Sequence, residues 1–299
     1  MPARSSRRPR VRLFHPAAAL VLSLAACAGT GFATSDKLTG LAAALPPIVT
    51  DVSPAAGSLT GGETITISGS ALEGVKRVLF GASDSPLITV INDSTVHAVV
   101  PHSYTYRPGP VTLTVLDASG FPGLDSSAAL SYDYQVVTAT DQQLQYAFEH
   151  WNNYNLAQYG DFTDWGGDCM NFVSQTLVAR GWATSVDWYN DAQQDWAPAF
   201  VAVPEFDEWL SEHPELGAVR HTLVDRAQLK IGDIVMFDWD NDGSLDHAQI
   251  VSGIEVVEGK QHVYLVGHDI DTHYRDLDEA LVTEGGPNAT AFFWSLPGS

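Results

Sequence analysis

The stretch Gly166-Gly167-Asp168-Cys169-Met170-Asn171-Phe172-Val173-Ser174-Gln175 carries Cys169, one of only two cysteines in 299 residues. The other, Cys27, closes Leu24-Ala25-Ala26-Cys27 at the end of an apolar run. If Cys27 is lipidated or cleaved away, Cys169 is left in an oxidising compartment with no partner for a disulfide. A free cysteine there is either a small apolar filler or a reactive thiol. The local pattern favours the thiol. Met170, Val173 and Leu177 form one helical stripe that stops at Gly181, so Cys169 falls at the first turn of a helix, behind a flexible glycine pair. Free N–H groups and the positive end of the helix dipole would favour a thiolate there and could bind the oxygen of a tetrahedral intermediate.

A thiol nucleophile needs a base and a third group that orients the base. His247 opens the alternating run His247-Ala248-Gln249-Ile250-Val251, and His268 ends Val263-Tyr264-Leu265-Val266-Gly267-His268. Two adjacent antiparallel strands could set these imidazoles side by side. Asp269 and Asp271 compete with His268 for the third position, since a carboxylate also accepts from an imidazole N–H. Asp168 and Asn171 flank the cysteine and are candidates for substrate contact. The aromatic-rich segment after the helix offers Trp188 and Trp196 as the floor of a groove, with plain packing as the alternative. Asp238, Asp240, Asp242 and Asp246 repeat acidic oxygens around Gly243 in the manner of a calcium loop, but the closing bidentate Glu is missing. An acidic hairpin turn without metal fits the same residues. No cofactor is required by this chemistry; calcium is the one candidate.

The elements that must position these residues follow from composition and period. With 45% apolar residues the chain can build sizeable cores, and its length suits two domains. Residues 1–27 read as an Arg-rich start, an apolar run and a lipobox, that is, a bacterial lipoprotein signal with Cys27 as the lipidation site. An ordinary secretory signal with an incidental cysteine is the alternative. Residues 28–44 are small and polar and suit a tether. Residues 45–135 alternate at period two in Thr64-Ile65-Thr66-Ile67 and Val111-Thr112-Leu113-Thr114-Val115, with Gly and Pro between, as in a β-sandwich. Residues 138–299 begin with an amphipathic helix through Leu144, Ala147, Phe148 and Trp151, capped by Thr138, Thr140 or Asp141, and end in strands. Helices first and an antiparallel sheet after them give an α+β domain. Removing residues 1–26 takes away five arginines and no acids, moving the formal charge from −21 to −26. Such a surface excludes nucleic acid as a partner.

The residues Pro47-x-x-x-x-Val52-Ser53-Pro54-x-x-Gly57, Gly61-Gly62, Ile65-Thr66-Ile67-x-Gly69, Phe80-Gly81, Val99-Val100-Pro101 and Tyr132-x-Tyr134 resemble the IPT/TIG family of immunoglobulin-like domains. Such domains bind or space, so this segment is expected to be dispensable for turnover. Gly166-Gly167-Asp168-Cys169, Asn171 to Gln175, Gly232-Asp233-Ile234-Val235, Asp246-His247 and the His268 block resemble the "putative amidase domain" family of the NlpC-like, papain-fold cysteine hydrolases. This resemblance implies Cys169 as nucleophile, His247 as base and His268 as orienter. Met170 stands where the family pattern leads one to expect Thr. The reading is therefore an exported, lipid-anchored monomer on the outer face of the membrane that cleaves an amide, with peptidoglycan the expected substrate. A non-catalytic binding lipoprotein and a thioester-using transpeptidase or acyltransferase are the rivals.

Overall fold

The computed structural model describes residues 46–118, 124–125 and 130–298, all within one compact unit, Ala44–Ser299. The lipoprotein signal, Cys27 and the tether at 28–44 lie outside the described residues. Among the described residues no helix is long and apolar enough to cross a membrane.

The N-terminal part is a sandwich of two five-stranded sheets. One sheet orders its strands Ile88–Asn92, Thr95–Val99, Thr64–Ser70, Ile48–Ser53 and Leu124–Asp125; the other Ala56–Ser58, Ser131–Gln135, Gly109–Asp117, Val75–Phe80 and Ser83–Asp84. The period-two pattern is realised as burial: Ile65 and Ile67 are wholly buried while Thr64 faces out, as side chains of alternate strand residues must.

The C-terminal part opens with helix α1, Ala139–His150. Of the three candidate caps Thr138 is used: its hydroxyl accepts from the Asp141 N–H, and the Asp141 carboxylate accepts in return from the Thr138 N–H, a reciprocal capping box. Helix α2, Cys169–Ala179, is buried along most of its length. It packs on α1 and on a six-stranded antiparallel sheet made of β1 (Val219–Thr222), β2 (Ile234–Asp238), β3 (His247–Val257), β4 (Lys260–Gly267), β5 (Thr272–Asp276) and β6 (Thr290–Ser295). The order across the sheet is β1-β6-β2-β3-β4-β5. Met170 is fully buried in this core. It therefore packs inward rather than forming a pocket wall.

The two parts share one continuous core rather than meeting through a linker. Tyr106, wholly buried, packs its ring 4.6 Å from Phe148 of α1 and donates its hydroxyl to the Ser252 carbonyl of β3 at 2.6 Å. Asp141 serves both parts: besides its cap, it accepts from the Ser58 hydroxyl at 2.7 Å and the Thr60 N–H at 2.9 Å. A cleft of about 820 Å³ opens along this junction, lined among others by His102, Tyr104, Tyr264 and Tyr274. None of the residues singled out for chemistry lines it. Beside the expectation of a dispensable spacer stands this finding: the N-terminal sandwich seats side chains in the C-terminal half.

Candidate active site

Cys169 is the first residue of α2 and is nearly buried. His247 is the first residue of β3, its ring 5.9 Å from those of Phe237 and Trp239. The Cys169 Sγ, a His247 ring nitrogen and an Asp269 carboxylate oxygen all lie within 4.8 Å of one another. Helix start, strand start and the turn after β4 thus converge on one point.

The side-chain contacts separate the candidates for the third position. β4 ends at Gly267, and His268 and Asp269 stand in the turn after it. The expected orienter, His268, has both ring nitrogens engaged away from His247. His268 Nδ1 binds the Asp168 carboxylate at 2.5 Å, and its Nε2 donates to the His150 carbonyl at 2.9 Å. Its ring is stacked between Tyr154, 3.7 Å away, and Phe172, 4.1 Å away. Asp271 is also placed elsewhere, as the acceptor of the Tyr154 hydroxyl. Asp269 is the one of the three that reaches the nucleophile.

Asp168 and Asn171 hold the loop rather than facing a substrate. Both are fully buried. Asp168 accepts from the Phe162 N–H and the Asn171 amide at 2.9 Å each, and Asn171 in turn accepts from Asn190 at 2.9 Å. With His268 they fix the entry to α2. Loss of the imidazole leaves the Asp168 carboxylate buried without that hydrogen-bond partner, and leaving a buried polar group unsatisfied typically costs about 1–3 kcal/mol. His268→Ala should therefore lower the urea midpoint of unfolding markedly. A midpoint equal to that of the parent chain would show that the buried pair does not support the fold.

The electrostatics of the resting site run against the thiolate expected from helix position. Burial, and next the Asp269 charge, push the Cys169 thiol up to about 12, although the N–H groups of Ala248 and Met170 pull the other way. Burial, with Arg275 nearby, pushes His247 down to about 4. At neutral pH the resting pair is therefore a thiol beside a neutral imidazole. Beside burial, the thiol is held up because the helix N-terminus already has an anion: Asp269 Oδ1 accepts from the Asp168 N–H and Oδ2 from the Cys169 N–H, each at 2.9 Å. Gly167 is required for this approach, because a Cβ there would stand 2.8 Å from Asp269 Oδ2, and its φ of +119° also favours glycine. Removing the charge while keeping the shape should lower the thiol pKa, so Asp269→Asn should speed iodoacetamide labelling of Cys169 at neutral pH. Unchanged labelling would mean that burial alone sets the thiol.

Of the two tryptophans offered for a groove, Trp188 is wholly buried, donates to the Ser174 hydroxyl at 3.2 Å and stacks on Trp209. It is core. Trp196 is partly exposed and stands 5.3 Å from Trp165, which is 63% exposed. Trp165 was not among the sequence candidates, although it precedes Gly166-Gly167 directly; the signal was a large aromatic beside the nucleophile's loop. In the acidic turn, Asp238, Asp240 and Asp246 bring oxygens within 4.8 Å of one another. Asp242 is not in that group: its N–H and that of Gly243 donate to Asp238, and its own carboxylate accepts from the Ser244 N–H. Backbone donors already engage Asp238 and Asp242, so the hairpin has internal support for its carboxylates.

A β-sandwich followed by a mixed α/β domain, with thiol, imidazole and carboxylate gathered at a helix start, defines a multi-domain protein. Two family models match it: an "IPT/TIG domain" over residues 47–134 and a "Putative amidase domain" over residues 134–294. The second covers more than half of the chain, and the protein belongs to that amidase-domain family. An uncharacterized Bacillus subtilis (strain 168) protein, YhbB, is 32% identical over 114 residues, spanning 36% of this chain and 35% of that protein. The chain thus matches only about a third of that relative's length. Among solved structures, gamma-CGTase from alkalophilic Bacillus clarkii aligns at 21% identity over 31% of this chain and 12% of its own, with a TM-score of 0.24. Bacteroides ovatus SGBP-B, solved with a mixed-linkage heptasaccharide, aligns at 10% identity over 83% and 51%, with a TM-score of 0.25.

Proposed function

We propose that this chain is an exported, membrane-anchored cysteine hydrolase of papain-like fold that cleaves an amide bond in cell-wall peptide. The observation that carries this reading is the meeting of Cys169, His247 and Asp269 at the start of α2. Cys169 Sγ attacks the carbonyl carbon while His247 takes the thiol proton. The carbonyl oxygen gains charge and needs the N–H groups at the helix start, so substrate must displace the Asp269 carboxylate that now holds them. Protonated His247 then gives its proton to the departing amine nitrogen, the C–N bond breaks and a thioester remains. Water attacks the thioester with His247 as base, the C–S bond breaks, and the thiol is restored. Trp165 and Trp196 offer an apolar surface at the mouth for the sugar or peptide that carries the amide.

Anchoring through a lipidated Cys27 would present this site to peptidoglycan first. The test is digestion of purified peptidoglycan by the full chain, with mass analysis of the released fragments. Fragments bearing a new amine and a new carboxylate support hydrolysis; a new cross-link instead indicates the transpeptidase rival. No change in the polymer, with the polymer nonetheless retained on the protein, would favour the rival reading as a binding lipoprotein. The closed resting site, with Asp269 seated at the helix start, is the feature that keeps that rival in view.

A further inference from the structure

With His268 engaged elsewhere, the group that fixes the orientation of His247 has to be sought on its own face of the sheet. Register identifies that face. Phe237 of β2 pairs with His247 and Val235 with Gln249; Val251 pairs with Leu265, and Leu265 with Arg275 of β5. Alternate residues share a face, so His247, Gln249 and Arg275 all project into the second core, among Phe237, Val251 and Leu265. The residues that make up that core are hydrophobic. Yet His247 Nε2, both amide atoms of Gln249 and Arg275 Nη1 are buried there with no hydrogen-bond partner among the described residues. The other guanidinium nitrogen of Arg275, Nη2, is anchored on Thr283 at 2.8 Å and Glu284 at 2.5 Å.

Polar atoms so deeply buried are normally paired with protein or ordered water. Four on one face of one sheet therefore point to a small network rather than to separate accidents. The backbone makes room for it. Gly267, opposite Gln249 by the same register, would with a Cβ stand 2.9 Å from Gln249 Cγ and 3.1 Å from its Nε2. The amide lies across the glycine and needs its bareness.

We propose that Gln249, backed by Arg275, is the positioning residue of the catalytic base: its amide oxygen takes the His247 Nε2–H, directly or through one buried water, and so leaves Nδ1 free to face Cys169. A glutamine fixes tautomer and ring angle without adding a charge, which suits a base that must stay neutral until the thiol gives up its proton. Arg275 Nη1 completes the amide's environment from behind. The proposal rests on the cysteine-hydrolase reading but is tested apart from it, because two of its readouts need no substrate.

The experiment compares the full chain with Gln249→Leu, which keeps the shape, and Gln249→Glu, which keeps the acceptor. Nitrogen-15 spectra of labelled histidine should show His247 as the Nε2–H tautomer in the parent and as a mixture in Gln249→Leu. Iodoacetamide labelling of Cys169 should slow roughly tenfold in Gln249→Leu and largely recover in Gln249→Glu. On an amide substrate kcat should fall with KM unchanged, while the unfolding midpoint stays level or rises, since an apolar side chain suits that core. A merely structural glutamine would lower the midpoint and leave the tautomer alone. Parent-like tautomer and labelling in Gln249→Leu would overturn the proposal. Should that variant not fold, Gly267→Ala displaces the same amide, and an unchanged His247 tautomer there would overturn it equally. Silence toward peptidoglycan would sink the hydrolase reading and leave the tautomer result to decide this one.

Discussion

Cys169→Ser should reduce turnover on peptidoglycan to background while leaving the unfolding midpoint within a degree or two of the parent chain. Serine is nearly isosteric, so the packing of α2 on the sheet survives. Its hydroxyl, however, gives up a proton far less readily than a thiol. The base beside it is weak, because burial pushes His247 down to about 4. A thiol can give its proton to such a base in concert with bond formation to the carbonyl carbon; an alcohol needs a stronger one. Losses for removal of a nucleophile that acts as a unit with its base reach roughly 10⁶ in kcat, so the expected result is no measurable fragment release. His247→Ala should fall nearly as far, since the two act as one unit. The pH dependence has a definite sign: His247 accepts a proton only when neutral, so turnover should persist above its value of about 4 and fall as pH drops through it. Fragment release by Cys169→Ser at a tenth of the parent rate would remove the thiol from the mechanism.

Labelling gives the complementary check. Helix position alone suggests a thiol that reacts faster than a free one at mildly acidic pH. The resting structure reverses this, since burial and Asp269 push the thiol up to about 12. Slow labelling in the resting chain, accelerated by a bound substrate fragment that displaces Asp269, is the expected pattern.

Where the sequence was legible and where it was not follows one physical line. Position along a periodic element can be read from one chain. Cys169 at the start of a helix, His247 at the start of a strand and the alternation of Ile65 and Ile67 are all of this kind. What a neighbouring element puts opposite a residue cannot be read until register is known. His268 and Asp269 are neighbours in sequence, and only the contacts of the turn that holds them separate the two: Asp269 accepts from the Cys169 N–H while His268 pairs with Asp168. Trp188 and Trp196 looked alike in sequence for the same reason: one is wholly buried and the other partly exposed because of what packs on them. The caps show the boundary between these cases. Thr138, Thr140 and Asp141 were all plausible from local preference, and Thr138 with Asp141 prevailed through a reciprocal pair of hydrogen bonds. The second task of Asp141, holding Ser58 and Thr60 from a segment some eighty residues earlier, leaves no local trace.

That second task leads to the other large effect. A chain beginning near Val136 lacks the whole N-terminal sandwich, and it should fail to fold into an active enzyme. The cut removes the Ser58 and Thr60 donors from a buried carboxylate that also caps α1. It removes Tyr106, leaving the Ser252 carbonyl without its donor and the Phe148 ring uncovered. It also takes His102, whose ring stacks on Tyr106 and lies 5.9 Å from that of Tyr274. A gentler version keeps the full chain: Tyr106→Ala deletes a wholly buried aromatic and its hydrogen bond, for which about 3–5 kcal/mol is typical. That is a large share of the net stability of a domain. Because one core runs through both parts, urea should unfold the intact chain in a single transition, and Tyr106→Ala should shift that transition as a whole. Ser252 lies on the strand that begins with His247, so the sandwich also braces the element that carries His247. Two separate transitions, together with a truncated chain that folds and turns over at the parent rate, would show that the sandwich is only a spacer after all.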